Sequence, residues 1–292
     1  MVAVASALVL IDGQPFAPDA ARVSVFDRGF LYGDSVFETL RTYDGRPFAL
    51  VEHVARLERS ARLVSIRMPR SAAEICAEVR QAIELAGFPE SYVRVMITRG
   101  QGQRLGHDPA LAHSPLRVVI VSPLEPLPAD KYQRGIFAIT YRTQRVADGT
   151  DATGAKLGNY LVAVLATEAA RAADAEEALL VDREGSLLEG ATSNLFAVRA
   201  GRLVTPPIAL GILPGITRAH VLRLAGELSL EVEERPLFVS ELAELDELFI
   251  SSSIRELVPV VRVDGQAIGA GVPGPLAQCL LQAFRERARA GA

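Results

Sequence analysis

The stretch "SPLEPLPAD", Ser122 to Asp130, carries three prolines in seven residues. Proline density of that kind stiffens a linker, so the 292 residues are expected to divide into an N-terminal domain over 1–121, a linker over 122–131 and a C-terminal domain over 132–292. Before the linker, "ALVLIDG" reads as a strand entering a turn, and "SVFETLRTYDGRPFAL" as a hairpin turning at Asp44-Gly45. "EHVARLERSARLVSI" puts Val54, Leu57, Ala61 and Val64 on one helical face, and the next helix opens with Ser71 and Glu74 at capping-box spacing and closes at Gly87. "YVRVMITRG" and "LRVVIVS" are strands around a polar, Gly-containing loop. After the linker come a strand "GIFAITYRT", a long loop, a helix starting near Asn159, and short strands turning at "DREG" and "RAGR". Helix "PGITRAHVLRLAGEL", two further strands and a last helix "GPLAQCLLQAFRERAR" complete an α+β chain of two domains, without internal repeats.

A hydrophobic content of 49% with 23% charged residues describes a globular chain, not a disordered one. The net charge of −4 and scattered Arg residues argue against a nucleic-acid partner. "MVAVASALVLIDG" lacks a basic leader and reaches Asp12-Gly13 too early for a membrane span, so it is expected to be a first strand. Cys76 and Cys279 fall in separate predicted helices without metal or redox spacing, and none of the four His pair at zinc-helix spacing. A cytoplasmic, disulfide-free protein without a metal site is the expectation.

Two familiar signatures fail on inspection. "GDSVF" has Phe37 where a nucleophile elbow needs its second Gly, and "GQGQRLG" places the third glycine of a dinucleotide fingerprint one position late with no helix following. A different contrast stands out: of 31 basic residues, 29 are Arg, and the two Lys are Lys131 in the polar loop "ADKYQR" and Lys156 in "GAKLGNY". Small residues and an apolar helix flank Lys156, which makes it the better candidate for a desolvated, nucleophilic amine, against the alternative of a solvated surface Lys. Thirty-three residues later Glu189 ends an apolar strand in "SLLEGATSNLF", either as a turn carboxylate or as the partner of a protonated pyridine nitrogen. "ILPGITRAH" sets Gly215, Ile216 and Thr217 at a Pro-initiated helix start, where free N–H groups and the dipole favour an anion. The hydroxyls of "SSSIRE", Ser252 and Ser253 among them, are a second phosphate cradle or a polar turn.

The ordered set "DRGFLYGDSVFETLRTYDGRPFALVEHVARLERSA", "KLGNYL", "EGATSNLF", "ILPGITR" and "SSSIRELVPV" resembles the class IV pyridoxal-phosphate aminotransferases of fold type IV along nearly the whole chain. The resemblance implies a smaller N-terminal α/β domain and a larger C-terminal domain with mixed sheets flanked by helices. It also implies that Lys156 forms a Schiff base with pyridoxal 5'-phosphate, that Glu189 contacts the pyridine nitrogen, and that Tyr160 hydrogen-bonds the ring hydroxyl. Arg56, Ile216, Thr217 and Ser253 would hold the phosphate. The freed Lys156 amine would take the substrate Cα proton and hand it on, as base and then acid. A homodimer whose active site borrows residues from the neighbouring subunit is a further implication.

Within this family the residues divide. "YVR", with Tyr92 and Arg94, resembles the Tyr-x-Arg of branched-chain enzymes, and Tyr32 and Phe37 fall where those enzymes wall the side-chain pocket. "TRGQGQRLGHD" is more similar to the loop of D-amino acid transaminases and of 4-amino-4-deoxychorismate lyase. Arg104 matches the carboxylate-binding Arg of the D-specific enzymes, but Gly106 stands where many of them have His. The balance leans to an L-branched-chain amino acid as donor and a 2-oxo acid such as 2-oxoglutarate as acceptor. A D-amino acid transaminase, the lyase and a non-catalytic homologue that binds the cofactor remain as alternatives.

Overall fold

The computed structural model describes residues 7–143 and 152–291. These fall into two compact units that part between Glu125 and Pro126; Ala155–Asn159 and the residues from Ala288 belong with the first unit. The part of the expected first strand before Ala7 lies outside the described residues.

The first unit is built on β1 (Leu8–Ile11), β2 (Gln14–Phe16), α1 (Arg28–Tyr32), β3 (Ser35–Tyr43), β4 (Arg46–Pro47), α2 (Leu50–Leu63), α3 (Ala72–Ala86), β5 (Ser91–Thr98) and β6 (Leu116–Pro123). Its sheet runs β2-β1-β6-β5-β3-β4, antiparallel throughout. Alternation along β3 and β5 sends Val36, Leu40, Val93, Val95 and Ile97 to one face, where they meet Val54, Leu57 and Ala61 of α2 and Ile75, Val79 and Ala82 of α3. Each such side chain contributes about 1.5–3 kcal/mol by leaving water. Local chemistry sets the ends of α3: Ser71 and Glu74 form the reciprocal capping box, and Gly87 closes the helix at φ +67°.

The second unit contains α4 (Ala129–Arg134), β7 (Ile136–Arg142), α5 (Leu161–Ala172), β8 (Glu177–Val181), β9 (Ser186–Gly190), β10 (Asn194–Arg199) and β11 (Arg202–Thr205). It continues with α6 (Ile216–Glu227), β12 (Val232–Glu234), β13 (Leu237–Phe238), β14 (Glu247–Ser252), β15 (Glu256–Val263), β16 (Gln266–Ala267) and α7 (Pro275–Ala290). Ten strands form one mixed sheet in the order β12-β11-β10-β14-β15-β7-β8-β9-β13, with β16 on β15. β8 and β9 are buried at every position, the pattern of strands covered on both faces. Ala166 and Ala170 of α5 are fully packed over this sheet, their small size allowing close approach.

Two boundaries differ from the sequence expectation. The helix expected from Asn159 starts at Leu161, because residues 155–159 are held extended along the first unit by the Gly158 N–H to Ser35 carbonyl bond of 2.8 Å. Within the expected linker, β6 reaches Pro123 and α4 begins at Ala129. Among the described residues no helix is long and apolar enough to cross a membrane.

Candidate active site

In the first unit, the segment around Lys156 adds a short extended piece to the start of β3. Leu157 bridges Val36, the Phe37 N–H donates to the Lys156 carbonyl at 3.1 Å, and the Lys156 N–H donates to Ser60 Oγ at 3.1 Å. Gly158 makes this approach possible, since a Cβ there would collide with Ser35 Oγ. The Lys156 Nζ lies 4.7 Å from the centre of the Phe37 ring, and the Arg94 guanidinium lies 3.8 Å from the same centre. Cross-strand register explains the second contact: Phe37 pairs Met96, Thr39 pairs Arg94 and Arg41 pairs Tyr92, so Phe37, Arg94 and Tyr92 share the face opposite the apolar core.

Glu38 points to the core face and is 1% exposed. Its carboxylate accepts from Arg56 Nε and Nη2, both at 2.7 Å, and pairs with His53 Nδ1 at 2.7 Å. Burial opposes ionisation of Glu38, but the Arg56 charge and the bonds from Arg56 and His53 outweigh it and bring the pKa down to about 2. Burial opposes the charged form of His53 as well, which here lowers the pKa; the Arg56 and Lys156 charges act in the same direction, and the bond and charge of Glu38 oppose them. Arg56, which looks on its helix like one solvated Arg among several, is thus buried and braced. The signal available in sequence is that His53 and Arg56 fall on the same stripe as Leu50, Val54 and Leu57, where a polar residue requires a partner.

Tyr32 and Arg104 belong to a second group in the same unit. The Gly106 N–H donates to the Tyr32 hydroxyl at 3.2 Å, and the Tyr32 and His107 rings are 5.2 Å apart. Arg28, buried at the start of α1, donates to the Gly106 carbonyl at 2.7 Å, the His107 carbonyl at 3.1 Å and Asp34 at 2.9 Å. Asp34 also accepts from Arg99 at 2.7 Å; burial works against its charge, yet the bonds and charges of Arg99 and Arg28 keep its pKa below the ordinary value. The loop bearing Arg104 is therefore anchored at its base while Arg104 itself is exposed. Arg28 and Asp34, which brace the loop bearing Arg104, were not legible in the sequence; α1, five residues between Asp27 and Gly33, is too short to show helical periodicity.

The second unit gathers the remaining candidates. Glu189, 7% exposed at the end of β9, accepts the Leu213 N–H at 3.1 Å, and Asn194 Nδ2 donates to the Leu213 carbonyl at 2.9 Å. Leu213 is thereby fixed just ahead of α6. Gly215 is the N-cap of that 12-residue helix, and a Cβ there would collide with Asn194 Oδ1; Ile216 and Thr217 form its first turn, with Thr217 buried. Asn194 also pairs with Ser251 across β10 and β14, which sets the Ser252 and Ser253 turn beside the same strand end. Ser251 Oγ is buried with no hydrogen-bond partner among the described residues. Tyr160 sits at the N-cap of α5, partly buried.

A family model described as amino-transferase class IV matches residues 35–263. The chain is 38% identical over 278 residues to a putative branched-chain-amino-acid aminotransferase of Methanocaldococcus jannaschii, covering 95% of each. It is 34% identical over 268 residues to a D-alanine aminotransferase of Bacillus licheniformis, covering 92% of each. Among solved structures, the branched-chain amino acid aminotransferase of Escherichia coli is similar with a TM-score of 0.92 at 34% identity, over 98% of this chain and 95% of that one.

Proposed function

The chain belongs to the class IV aminotransferases and shares their fold type IV, and on that premise we propose that it transfers an amino group between a branched-chain L-amino acid and a 2-oxo acid such as 2-oxoglutarate. Enzymes of this class use pyridoxal 5'-phosphate, and the side chains present suit it. A buried carboxylate, Glu189, fits a protonated pyridine nitrogen; the N-terminus of α6, which has no side-chain cap, together with the Ser252 and Ser253 hydroxyls fits a phosphate; Lys156 fits the aldehyde. When bound, the cofactor supplies an electron sink for the carbon that loses its proton.

The observation that carries the reading is that the Lys156 amine and the Arg94 guanidinium lie against one ring, Phe37. In an α-amino acid the carboxylate is one bond from Cα, so an Arg that grips the carboxylate through two parallel hydrogen bonds leaves the Cα proton to a neighbouring amine. In this reading Lys156 tethers the cofactor and then moves that proton, Arg94 with Tyr92 orients the substrate, and Phe37 and Tyr32 wall its side chain. Glu189 keeps a proton on the pyridine nitrogen, and Tyr160 bonds the ring hydroxyl. Arg56, Gly215, Ile216, Thr217, Ser252 and Ser253 hold the phosphate. The unit after the 122–131 linker is the main cofactor-binding domain, and the working form is a homodimer.

A D-amino acid reading is favoured by one observation, the exposed Arg104 on a loop held by Arg28 and Tyr32. The near-visible spectrum of the purified protein separates the readings. A cofactor band that bleaches with L-leucine, persists with D-alanine and disappears in Lys156→Ala supports the proposal. Bleaching with D-alanine alone would transfer it to the D-specific reading, and a band that neither donor changes, with pyruvate released from aminodeoxychorismate, would transfer it to the lyase.

A further inference from the structure

Glu177 opens β8 and is 4% exposed, yet it is a carboxylate among fully buried strand residues. One of its oxygens accepts the N–H groups of Ala178 at 3.0 Å and Ala191 at 3.1 Å; the other accepts Ser193 Oγ at 3.1 Å and Arg255 Nη2 at 2.6 Å. Ala191 and Ser193 lie in the turn that follows Glu189 and Gly190. Arg255 lies in the turn that follows Ser252 and Ser253. Its Nη2 also reaches Thr192 Oγ1 at 3.3 Å, its N–H donates to Ser252 Oγ at 3.2 Å, and its carbonyl accepts the Tyr132 hydroxyl at 3.1 Å.

The arrangement is compact as well as charged. The Gly190 N–H donates to the Ser193 carbonyl at 2.7 Å, and a Cβ at Gly190 would collide with Ser193 Oγ and press on the Glu177 carboxylate. One buried carboxylate therefore receives donors from both turns, and Arg255 joins them as well, its guanidinium reaching Thr192 in the first turn while its backbone N–H holds Ser252 at the second. Stability alone does not call for an ion pair in this place, because replacing such a pair with apolar packing is often neutral.

We propose that Glu177 and Arg255 are positioning residues that lock the Glu189 turn to the Ser252–Ser253 turn, so that the carboxylate for the cofactor ring and the hydroxyls for its phosphate move as one body. This rests on the proposed function. In this role neither residue needs to touch the cofactor; each acts through the backbone and hydroxyls it holds. A carboxylate at Glu189 that shifts relative to the phosphate hydroxyls grips one end of a rigid ligand at the expense of the other.

The test is equilibrium binding of pyridoxal 5'-phosphate and of phosphate-free pyridoxal to the cofactor-free full chain, followed by absorption well below the melting temperature of each variant. Glu177→Gln and Arg255→Gln are each expected to raise the Kd for pyridoxal 5'-phosphate by about ten-fold or more, the loss of one charged hydrogen bond. The advantage of pyridoxal 5'-phosphate over pyridoxal should shrink in both. The double variant should be little worse than the weaker single one, since the two act as a unit. Arg255→Lys, which keeps the ion pair, should recover part of the affinity, and Thr192→Val, which removes one arm, gives a milder version should Glu177→Gln fail to fold. Kd values within two-fold of the parent in folded variants, whatever their melting temperature, would overturn the proposal and leave a structural ion pair. A parent chain that binds no pyridoxal 5'-phosphate would instead overturn the proposed function.

Discussion

Replacing Glu38 with Gln tests whether the buried triad with His53 and Arg56 supports the first unit as its geometry indicates. The Glu38 pKa is brought from the ordinary 4.5 down to about 2, a difference that corresponds to roughly 3–4 kcal/mol of pH-dependent stability. Because the folded value is depressed, that contribution is fully present above pH 4.5 and is lost as pH falls toward 2. His53 acts with the same sign: its depressed folded pKa means that stability is lost as pH drops below 6.5, where the unfolded His takes a proton first. At pH 7, Glu38→Gln leaves the Arg56 charge buried without its counter-ion, which costs about 3–5 kcal/mol. Toward pH 2 the parent has also lost its carboxylate, so the gap between the two proteins should close by roughly 3 kcal/mol. Multi-domain chains commonly depart from all-or-none unfolding, so the assay is urea unfolding at pH 7, 4.5 and 3, read by pulsed amide exchange on peptides from α2 and β3. A gap of the same size at all three values would refute the reasoning, because it would mean that the charge of Glu38 is not what Arg56 and His53 stabilise.

Two substitutions probe other parts of the candidate site. Gly215→Ala drives a methyl into Asn194 Oδ1 and displaces the clamp on Leu213, so it should cost about 1–3 kcal/mol in thermal melting and weaken cofactor binding; an unchanged melting temperature and Kd would mean that the start of α6 yields freely. Arg104→Ala should raise KM for 2-oxoglutarate in steady-state kinetics with little change for a monocarboxylic acceptor, whereas an unchanged KM would remove Arg104 from the substrate's second carboxylate.

What could be read from the sequence was what depends on neighbours along the chain. Ser71, Glu74 and Gly87 marked both ends of α3 because capping is decided within a few residues, and the Asp44-Gly45 turn showed for the same reason. The family motifs were legible in order, and the class IV match bears that reading out. Long-range partnerships were not legible. Nothing beside Lys156 indicates that its segment lies along β3, because the need for glycine at 158 arises from Ser35, far earlier in the chain. The parallel pairing of β11 with β12 is hidden in the same way. Hydrophobic periodicity treats His53 and Arg56 on an apolar stripe, and Glu177 on a buried strand, as exceptions. Each of these exceptions is a buried polar or charged group with a partner from another segment, and each partner sits within a few residues of a group proposed to meet substrate or cofactor. A buried charge is stable only when its partner is held in place, so in this fold the polar exceptions to the core pattern are where the sequence encodes the position of its turns.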